Sequence, residues 1–380
     1  MQDLGARVKA ASAVLANITT AEKDEALKTA ADCLVAATPE ILEANCADIE
    51  RAQTAGTPDT VIDRLRLDTS RVDAMGEGLR QLVALTDPIG KTVEEWTRPN
   101  GLEIQKIRVP LGVVAIIYEN RPNVTSDAFG LCLKSGNAAF LRGSSAAIDS
   151  NIAIARALRE GTTKAGLPED ALMLVTDTSH AAAIEFMQLR DHIDCLIPRG
   201  GPSLINSILD NAKVPYVIDG DGNCHIYVDE AADLDLATKV IVNAKMQRPS
   251  VCNAAESLVL HSQIAPSFLP RITDALKGVE LVGDKRAQDL VPSIQPATEQ
   301  DWSTEYLDLK MSVRIVDNID EAIHHININS TGHSEAIISS NQTATKEFVR
   351  RVDAAAVLVN TSTRFVDGEE FGFGAEIGIS

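Results

Sequence analysis

The first 85 residues contain many alanines, leucines and charged residues and no run typical of a β-strand. This pattern predicts a series of helices. Thr20 precedes Ala21-Glu22-Lys23 and is a candidate N-cap. Thr38-Pro39-Glu40 places a proline at the start of another helix. We therefore predict a helical N-terminal segment that ends where the pattern changes, at Asp87-Pro88-Ile89-Gly90.

A β-hairpin is predicted after this segment. Residues 91–97 and 102–109 are β-branched and roughly alternating, and Arg98-Pro99-Asn100-Gly101 lies between them with an Asn-Gly turn signal. A long hairpin in a chain of this kind has exposed edges, and pairing with another subunit is one way to cover them.

From Pro110 onwards, apolar runs alternate with helical patterns, which predicts parallel sheets joined by crossover helices. The predicted strands of a first unit are 113–117, 138–142, 171–175, 193–197 and 214–218, and its helices are 123–134, 144–160, 180–189 and 202–211. The predicted strands of a second unit are 257–260, 312–316, 335–339 and 356–360, and its helices are 231–246, 319–326 and 343–351. No GxGxxG sequence follows the first strand, so the usual Rossmann fingerprint is missing.

Composition narrows the class of protein. A chain of 380 residues with 45% hydrophobic and 23% charged residues is typical of a globular protein with two or three domains. The apolar runs are too short to cross a bilayer, and the N-terminus lacks the pattern of a signal peptide, so we expect a cytoplasmic protein.

The charge balance argues against a nucleic-acid partner. There are 35 basic and 54 acidic residues, giving a formal charge of −19, whereas binding a phosphate backbone needs a basic face. An anionic substrate would therefore have to be met by a few arginines or lysines, by helix N-termini and by backbone amides.

One cysteine is a candidate nucleophile. The six cysteines have irregular spacing and form no CxxC pair, so neither a metal site nor a set of disulfides is expected. Cys252 lies in a predicted loop, near Lys245 and Arg248 in sequence, and cations beside a thiol favour its thiolate. The alternative is an inert buried cysteine, which is the usual state of the residue.

Residues 245–256 resemble the catalytic segment of the γ-glutamyl phosphate reductases (glutamate-5-semialdehyde dehydrogenases), a branch of the aldehyde dehydrogenase superfamily. Seven further stretches resemble this family, and the resemblance covers essentially the whole chain. They are 109–127, 135–150, 197–205, 221–229, 332–337, 360–368 and 371–380. So many motifs in one order make the resemblance specific.

The resemblance implies an α/β, aldehyde-dehydrogenase-like fold with two Rossmann-like parallel-sheet domains and a β-hairpin oligomerisation element. The expected domains are an NADP-binding domain (1–86 and 110–240), the hairpin (87–109), a catalytic cysteine domain (241–360) and a C-terminal tail (361–380) that joins the cofactor and oligomerisation region. Family members continue some tens of residues past this tail, so we expect it to be truncated.

The resemblance also implies a reaction. The Cys252 thiolate would attack L-glutamyl 5-phosphate and expel phosphate, and NADPH would reduce the resulting thioester to L-glutamate 5-semialdehyde for proline biosynthesis. Asn123 and the backbone N–H of Cys252 would form the oxyanion hole. For Asn123 the alternative is a plain N-cap.

The remaining site residues are expected to bind cofactor or substrate. Arg199, Gly200, Gly201 and Ser203 lie between a strand and a helix, where free N–H groups suit a pyrophosphate, although a simple tight turn is the alternative. Family order implies that Arg142, Gly143 and Ser144 lie beside the adenosine ribose, where Arg142 would suit the 2′-phosphate of NADPH, and that Glu305 holds the nicotinamide ribose. The expected substrate-binding residues are Arg121, Asn223, Arg248, Thr361, Ser362 and Arg364.

Two other functions remain open on the sequence. One is a phosphate-independent aldehyde dehydrogenase for a small amino-aldehyde, for which Asp219 is the one nearby candidate base. The other is a catalytically idle scaffold. The expected partners are glutamate 5-kinase, because acyl phosphates hydrolyse quickly, and further copies of the chain in a dimer or tetramer.

Overall fold

The computed structural model describes residues 1–218 and 221–374, which fall into two compact units. Among these residues, the first unit comprises 1–218 together with Gly374, and the second unit comprises 221–373. The predicted α/β class, with two parallel sheets and a separate hairpin, is confirmed.

The N-terminal segment of the first unit is helical, as predicted. Its helices are α1 (Gln2–Leu15), α2 (Thr20–Ala36), α3 (Thr38–Thr54), α4 (Asp59–Leu65) and α5 (Thr69–Ala84). The N-cap of α2 is Thr19 instead of the predicted Thr20. The Thr19 hydroxyl accepts from the Glu22 N–H, and the Glu22 carboxylate accepts from the Thr19 N–H, so a capping box fixes the start one residue earlier. Pro39 lies in the first turn of α3, as expected.

The hairpin is also confirmed. Strand β1 (Thr92–Thr97) pairs antiparallel with β2 (Glu103–Ile107), with Trp96 opposite Ile104. Gly101 closes the turn with a φ of +84°, a conformation that favours glycine. Almost every residue of both strands is exposed, including Val93 and Trp96, so the hairpin contributes little to a core within this chain.

The sheet of the first unit has four parallel strands in the order β5-β4-β3-β6. They are β3 (Val113–Tyr118), β4 (Ala138–Arg142), β5 (Leu172–Leu174) and β6 (Cys195–Arg199), and the accompanying helices are α6 (Val124–Lys134), α7 (Ile148–Lys164), α8 (His180–Met187) and α9 (Pro202–Asn211). The predicted strand 214–218 is reduced to one bridge between Tyr216 and Leu196. Pro215 has no N–H, which limits the ladder to two backbone bonds on Leu196.

The second unit contains a seven-stranded parallel sheet in the order β10-β9-β11-β8-β7-β12-β13. Its strands are β7 (Cys224–Val228), β8 (Ala255–His261), β9 (Glu280–Gly283), β10 (Gln295–Pro296), β11 (Lys310–Val316), β12 (Ser334–Ile338) and β13 (Ala356–Val359). Its helices are α10 (Leu234–Met246), α11 (Ala265–Ala275), α12 (Lys285–Leu290), α13 (Ile319–Asn329) and α14 (Gln342–Arg351). The sequence pattern did not predict β7, β9, β10, α11 or α12.

The boundary between the units differs from the expected one. Strand β7 is hydrogen-bonded to β8 on one side and to β12 on the other, so it is central to the second sheet. The units therefore divide at 218/219 instead of 240/241, and β7 and α10 belong with Cys252. Most of the expected tail, residues 361–373, also belongs to the second unit, while residues 375–380 lie outside the described part of the chain.

Helix packing in the first unit gives a test of this fold. A Cβ added at Gly161, near the end of α7, would lie 2.4 Å from Ala30 Cα on α2. We expect Gly161→Ala to lower the free energy of unfolding by about 1–3 kcal/mol, because backbone must shift to admit the methyl group. Urea denaturation would measure the change.

The matched control is Gly78→Ala in the middle of α5, where nothing lies within 4 Å of the added Cβ. This change should raise stability by about 0.5–1 kcal/mol through helix propensity. Equal effects of the two substitutions would contradict the close contact between α2 and α7.

Candidate active site

Cys252 lies in the loop between α10 and β8, at the amino-terminal edge of the second sheet, and is partly exposed. Its carbonyl oxygen accepts a hydrogen bond from the Cys224 thiol at 3.1 Å. The backbone of Gly222 lies so close that an added Cβ would be 1.7 Å from the same oxygen. Only glycine fits there without moving the loop, so β7 and its leading residues fix the backbone that carries Cys252.

The segment after β13 braces the other side of this loop. Arg364 donates to the side chains of Asn253 and Gln247, and the Thr363 hydroxyl donates to the Asn253 carbonyl at 2.6 Å. The buried Ser362 hydroxyl accepts from the Arg364 N–H at 3.2 Å, and Thr361 is partly exposed beside it. Three expected substrate residues, Thr361, Ser362 and Arg364, are thus near Cys252 in the chain's fold, and Arg364 is bonded to the loop itself.

Glu305 is brought to the same place. Its Oε1 accepts from the Gly222 N–H at 2.8 Å, and burial raises the pKa of the carboxyl above its ordinary value. Glu305 is therefore held against Gly222, the residue that contacts the Cys252 carbonyl.

The Asn223 side chain is more deeply buried than expected for a residue that binds substrate. Its side chain is buried, and the amide nitrogen donates to the carbonyls of Trp302 and Asn329 at 2.9 and 2.8 Å. The amide oxygen has no hydrogen-bond partner among the described residues. The side chain thus ties β7 to the 3₁₀ turn at 299–303 and to the end of α13.

The two cations expected near the thiol have different surroundings. The Lys245 ammonium is fully buried and lies 2.6 Å from the Glu256 carboxylate, which is fully buried as well. Burial raises the pKa of Glu256 to about 7 and lowers the pKa of Lys245. Lys245 is therefore paired with Glu256 in a buried salt bridge. Arg248 is exposed and makes no hydrogen bond or ion pair to the rest of the described chain.

Glu256 also holds a strained residue in place. Its Oε1 accepts from the Leu307 N–H at 3.3 Å, and Leu307 has a φ of +53°, which is uncommon for a residue with a side chain. Leu307 is two residues from Glu305. The buried pair Lys245–Glu256 thus supports the segment that presents Glu305.

Sequence reasoning missed two groups of this cluster, Cys224 and His333. Burial raises the pKa of Cys224 well above its ordinary value, so its thiol stays protonated. His333 is partly exposed, its Nδ1 lies 2.8 Å from the Ser334 hydroxyl, and the same nitrogen lies 4.0 Å from the Cys224 sulfur. The motif at 332–337 was recognised, but the pairing of β12 with β7 that joins it to Cys224 was not.

The first unit contains the expected cofactor residues at the carboxyl ends of its strands. The strand order reverses between β3 and β6, where open α/β sheets bind ligands. There the Gly201 N–H donates to the Glu119 carboxylate at 3.4 Å, and a Cβ on Gly200 would lie 2.7 Å from the same carboxyl. Arg199 ends β6, and the exposed Ser203 lies in the first turn of α9.

The residues after β4 lie near the same edge. Arg142 is partly buried and donates to the carbonyls of Thr178 and Ser179, both at 2.9 Å. The Ser144 hydroxyl donates to the Asn120 side chain at 3.0 Å, and a Cβ on Gly143 would clash with Asn151. Only glycine fits at position 143 without moving Asn151.

Asn123 stands immediately before α6. It occupies the N-cap position of this helix, but its side chain makes no capping bond and instead donates to Asp127 at 2.9 Å. Arg121, two residues earlier, is exposed. Asp219, the candidate base of the alternative reaction, lies outside the described residues.

The family model described as the aldehyde dehydrogenase family matches residues 3–308. A γ-glutamyl phosphate reductase of Clostridium botulinum (strain Eklund 17B / Type B) is 54% identical over 99% of this chain and 91% of its own length. The chain belongs to the γ-glutamyl phosphate reductase branch of the aldehyde dehydrogenase family.

Two other γ-glutamyl phosphate reductases support this family assignment. The one from Syntrophomonas wolfei is 50% identical over 100% of this chain and 91% of its own length. The crystal structure of the one from Thermotoga maritima superposes with a TM-score of 0.97, at 48% identity, over 100% of this chain and 92% of that chain. Family membership makes the protein an oxidoreductase, and aldehyde dehydrogenases use nicotinamide cofactors.

Residues 1–218 and 221–374 contain no helix long and apolar enough to cross a membrane. In the same residues, no group of three or more His, Cys, Asp and Glu side chains is arranged to hold a metal ion.

The buried pair gives a stability prediction. We expect Lys245→Met to lower the free energy of unfolding at pH 8 by about 3–5 kcal/mol, because Glu256 is left buried without its partner. The pKa of Glu256 is raised in the folded state, so the protonated form is favoured there. The loss should therefore be small at pH 5 and grow as the pH rises through about 7. Urea denaturation at the two pH values would test this.

Two controls accompany that experiment. The double variant Lys245→Met with Glu256→Leu should recover most of the stability, since the uncompensated charge is gone. Lys285→Met removes an exposed ion pair with Asp289 and should cost less than about 1 kcal/mol. A double variant as unstable as the single one would disprove the role assigned to the pair.

Proposed function

We propose that the protein reduces L-glutamyl 5-phosphate to L-glutamate 5-semialdehyde with NADPH and releases phosphate, as a step of proline biosynthesis in the cytoplasm. The observation that carries the proposal is the braced loop of Cys252. Its carbonyl is held by Cys224 and Gly222, and its next residue is held by Thr363 and Arg364. This is a loop built to hold one partly exposed thiol in a fixed position.

In the proposed reaction the Cys252 thiolate attacks the acyl carbon of the acyl phosphate. A C–S bond forms, the C–O bond to phosphate breaks, and the chain carries a thioester. A nicotinamide cofactor, when bound, would supply the hydride that reduces this thioester. The thiolate then leaves, and the aldehyde is released. A thioester suits this chemistry because it accepts hydride far more readily than a carboxylate does.

Four side chains of the second unit are proposed to serve this reaction directly. Arg248 is exposed and, among the described residues, carries no partner that would compete for an anion, so it is proposed to bind the phosphate or the α-carboxylate. Arg364, Thr361 and Ser362 flank the Cys252 loop and are proposed to orient the rest of the substrate.

The oxyanion hole and the ribose contact are proposed from the family resemblance. The backbone N–H of Cys252 and the amide of Asn123 would stabilise the tetrahedral oxyanion. Glu305 would accept hydrogen bonds from the nicotinamide ribose, and its fixed contact with Gly222 supports such a role. Arg121 and Asn223 are also proposed to bind the substrate. Asn223 is the weaker candidate, because its side chain is buried and donates to two backbone carbonyls.

The cofactor is proposed to bind at the carboxyl ends of β3 and β6, where the strand order of the first unit reverses. Gly201 leaves room for a close approach, whereas Gly200 packs against Glu119. The first turn of α9 offers backbone N–H groups to a pyrophosphate. Arg199 and Ser203 flank this turn. After β4, Gly143 and Ser144 lie beside Arg142, whose charge would favour NADPH over NADH.

The nucleophile is tested in the reverse direction. Protein is given glutamate semialdehyde, phosphate and NADP⁺, and formation of the reduced cofactor is followed by absorbance. We expect a phosphate-dependent rate that falls at least about a thousandfold in Cys252→Ala, because the covalent step is lost. The control Cys46→Ala removes an exposed thiol of the first unit and should leave the rate unchanged.

Other outcomes would favour the alternative functions. Oxidation that does not need phosphate would indicate a hydrolytic aldehyde dehydrogenase. A folded protein that binds NADP⁺ without turnover would favour the scaffold. Adding glutamate 5-kinase to the forward assay would test the proposed handover, which predicts a higher rate than the two enzymes give in separate vessels.

We also propose that the hairpin joins copies of the chain in a dimer or tetramer. Val93 and Trp96 are 53% and 40% exposed on a strand whose outer edge pairs with no other strand among residues 1–218 and 221–374. Replacing both with lysine should reduce the mass measured by light scattering to that of a smaller assembly. Ile328→Lys, at a 64% exposed site on α13, is the control and should leave the mass unchanged. An unchanged mass in the hairpin variant would rule out this interface.

A further inference from the structure

The chain reverses its direction directly after β13. Val359, the last residue of β13, is level with Val259 of β8 through the register of the strands between them. The Cys252 loop precedes β8, several residues back from that level. Shortly after Val359, however, the Thr363 hydroxyl donates to the Asn253 carbonyl, beside Cys252. Because the strands of this sheet are parallel, the chain must turn back between Val359 and Thr363 to make this contact.

Asn360 is the residue at which this reversal begins. It follows β13 immediately and has a φ of +56°, in the left-handed region that residues with a side chain seldom adopt. Asparagine adopts this region more readily than most residues, because its short polar side chain can bond to nearby backbone. A residue that continued the strand would have a negative φ, so the conformation of Asn360 ends β13.

The Asn360 side chain also fixes the turn to the neighbouring strand. Its backbone N–H donates to the Ile337 carbonyl at 2.9 Å, which is the last ladder bond of β13. Its side-chain Oδ1 then accepts from the Ser339 N–H, and its Nδ2 donates to the Ser339 carbonyl, both at 3.0 Å. Ser339 is buried, so its backbone groups need partners once β13 has turned away. The amide of Asn360 supplies both.

The position of Ser339 is itself fixed. Its hydroxyl donates to the Asp229 carboxylate at 2.6 Å and accepts from the Asn341 N–H at 3.0 Å. Asp229 follows β7 directly, and Ser339 follows β12. Asn360 is therefore held against the ends of the two strands whose pairing forms the centre of the site.

The segment after Asn360 contacts Asn253 at three points. Besides the bond from Thr363, the Arg364 guanidinium donates to the Asn253 side chain, and the Asn253 amide donates to the Val366 carbonyl at 2.9 Å. These contacts come from residues that follow Asn360 closely in the chain. The direction that the chain takes at Asn360 therefore determines where they meet the Cys252 loop.

We propose that Asn360 is a positioning residue for Cys252, which it places through the segment 361–366 and Asn253. This inference rests on the function proposed above, and Asn360 itself takes no part in bond making. Asparagine suits the role because it tolerates a positive φ and carries a donor and an acceptor on one short side chain. Glycine would keep only the first property, and alanine would keep neither.

The first test is kinetic. We expect Asn360→Ala to lower kcat of the phosphate-dependent reverse reaction by about 10–100-fold, since a small displacement of a reacting group is costly. The KM for NADP⁺ should change less than about twofold, because the proposed cofactor residues of the first unit are not altered. Asn360→Gly admits the positive φ without the two side-chain bonds and should recover part of the lost kcat.

The second test does not depend on turnover. Hydrogen exchange measured by mass spectrometry on a peptide that covers residues 250–256 reports how firmly the Cys252 loop is held. We expect exchange there to be at least about fivefold faster in Asn360→Ala than in the unaltered protein. Asn360→Gly should fall between the two, and peptides from β3 and β4 should be unchanged.

Asn327→Ala is the matched control. The Asn327 side chain also bonds to backbone at two points, donating to the Arg351 carbonyl at 2.9 Å and accepting from the Asp353 N–H at 3.1 Å. It lies in the same unit, but these bonds hold the segment before β13. The control should leave both kcat and the exchange of residues 250–256 unchanged.

The possible results separate the two proposals. An unaltered kcat in Asn360→Ala would overturn the inference, whether or not exchange is faster. Equal losses in Asn327→Ala would overturn it as well, because they would indicate a general loss of stability. Absence of phosphate-dependent turnover in the unaltered protein would count against the proposed function, while unaltered exchange in both Asn360 variants would count against the role of Asn360 alone.

Discussion

The pairing of β7 with both β8 and β12 is the constraint on which the site depends. Cys224 is in register with Ala255, and Ile226 is in register with Ala336. Parallel strands start at the same edge of a sheet, so this register places the residues before three strands side by side. Residues around 222, 252 and 333 are far apart in the chain and meet because these strands are neighbours.

This arrangement places polar side chains in the interior just behind the site. Glu335 and Glu256 are fully buried. Glu335 accepts hydrogen bonds from the His225 backbone N–H and the Ser330 hydroxyl, and Glu256 is paired with Lys245. Such pairs seldom add net stability relative to apolar packing. Their benefit here is geometric: the Lys245–Glu256 pair holds the strained backbone of Leu307.

The sequence predicted the regular parts of the first unit well. Buried strands such as β3 and β4 are uninterrupted apolar runs, and the hairpin has an unambiguous turn. Strand β7 was missed because it begins with Cys224 and His225, which have no strand-like pattern, although both are fully buried. Strand β10 has only two residues, and its place is set by the neighbouring β9 and not by its own composition.

The same limit applies to the site. Cys252 was singled out because it lies within a motif that can be compared along the chain, and Glu305 was singled out by its order in the chain. The partner of Lys245 and the neighbourhood of Cys224 and His333 were not found, since these contacts follow from strand register and not from proximity in sequence. The expected role of Asn223 as a ligand overlooked its burial, which depends on where Trp302 and Asn329 lie.

The brace formed by Thr363 and Arg364 has a consequence for the order of events during synthesis. These residues hold Asn253, which was added to the growing chain more than a hundred residues earlier. A ribosome that has released the chain only as far as β12 has exposed the thiol of Cys252 without its brace. During that interval Cys252 lies in an incompletely synthesised chain. A chain that stalls there would expose a cysteine whose loop is not yet held by Thr363 and Arg364.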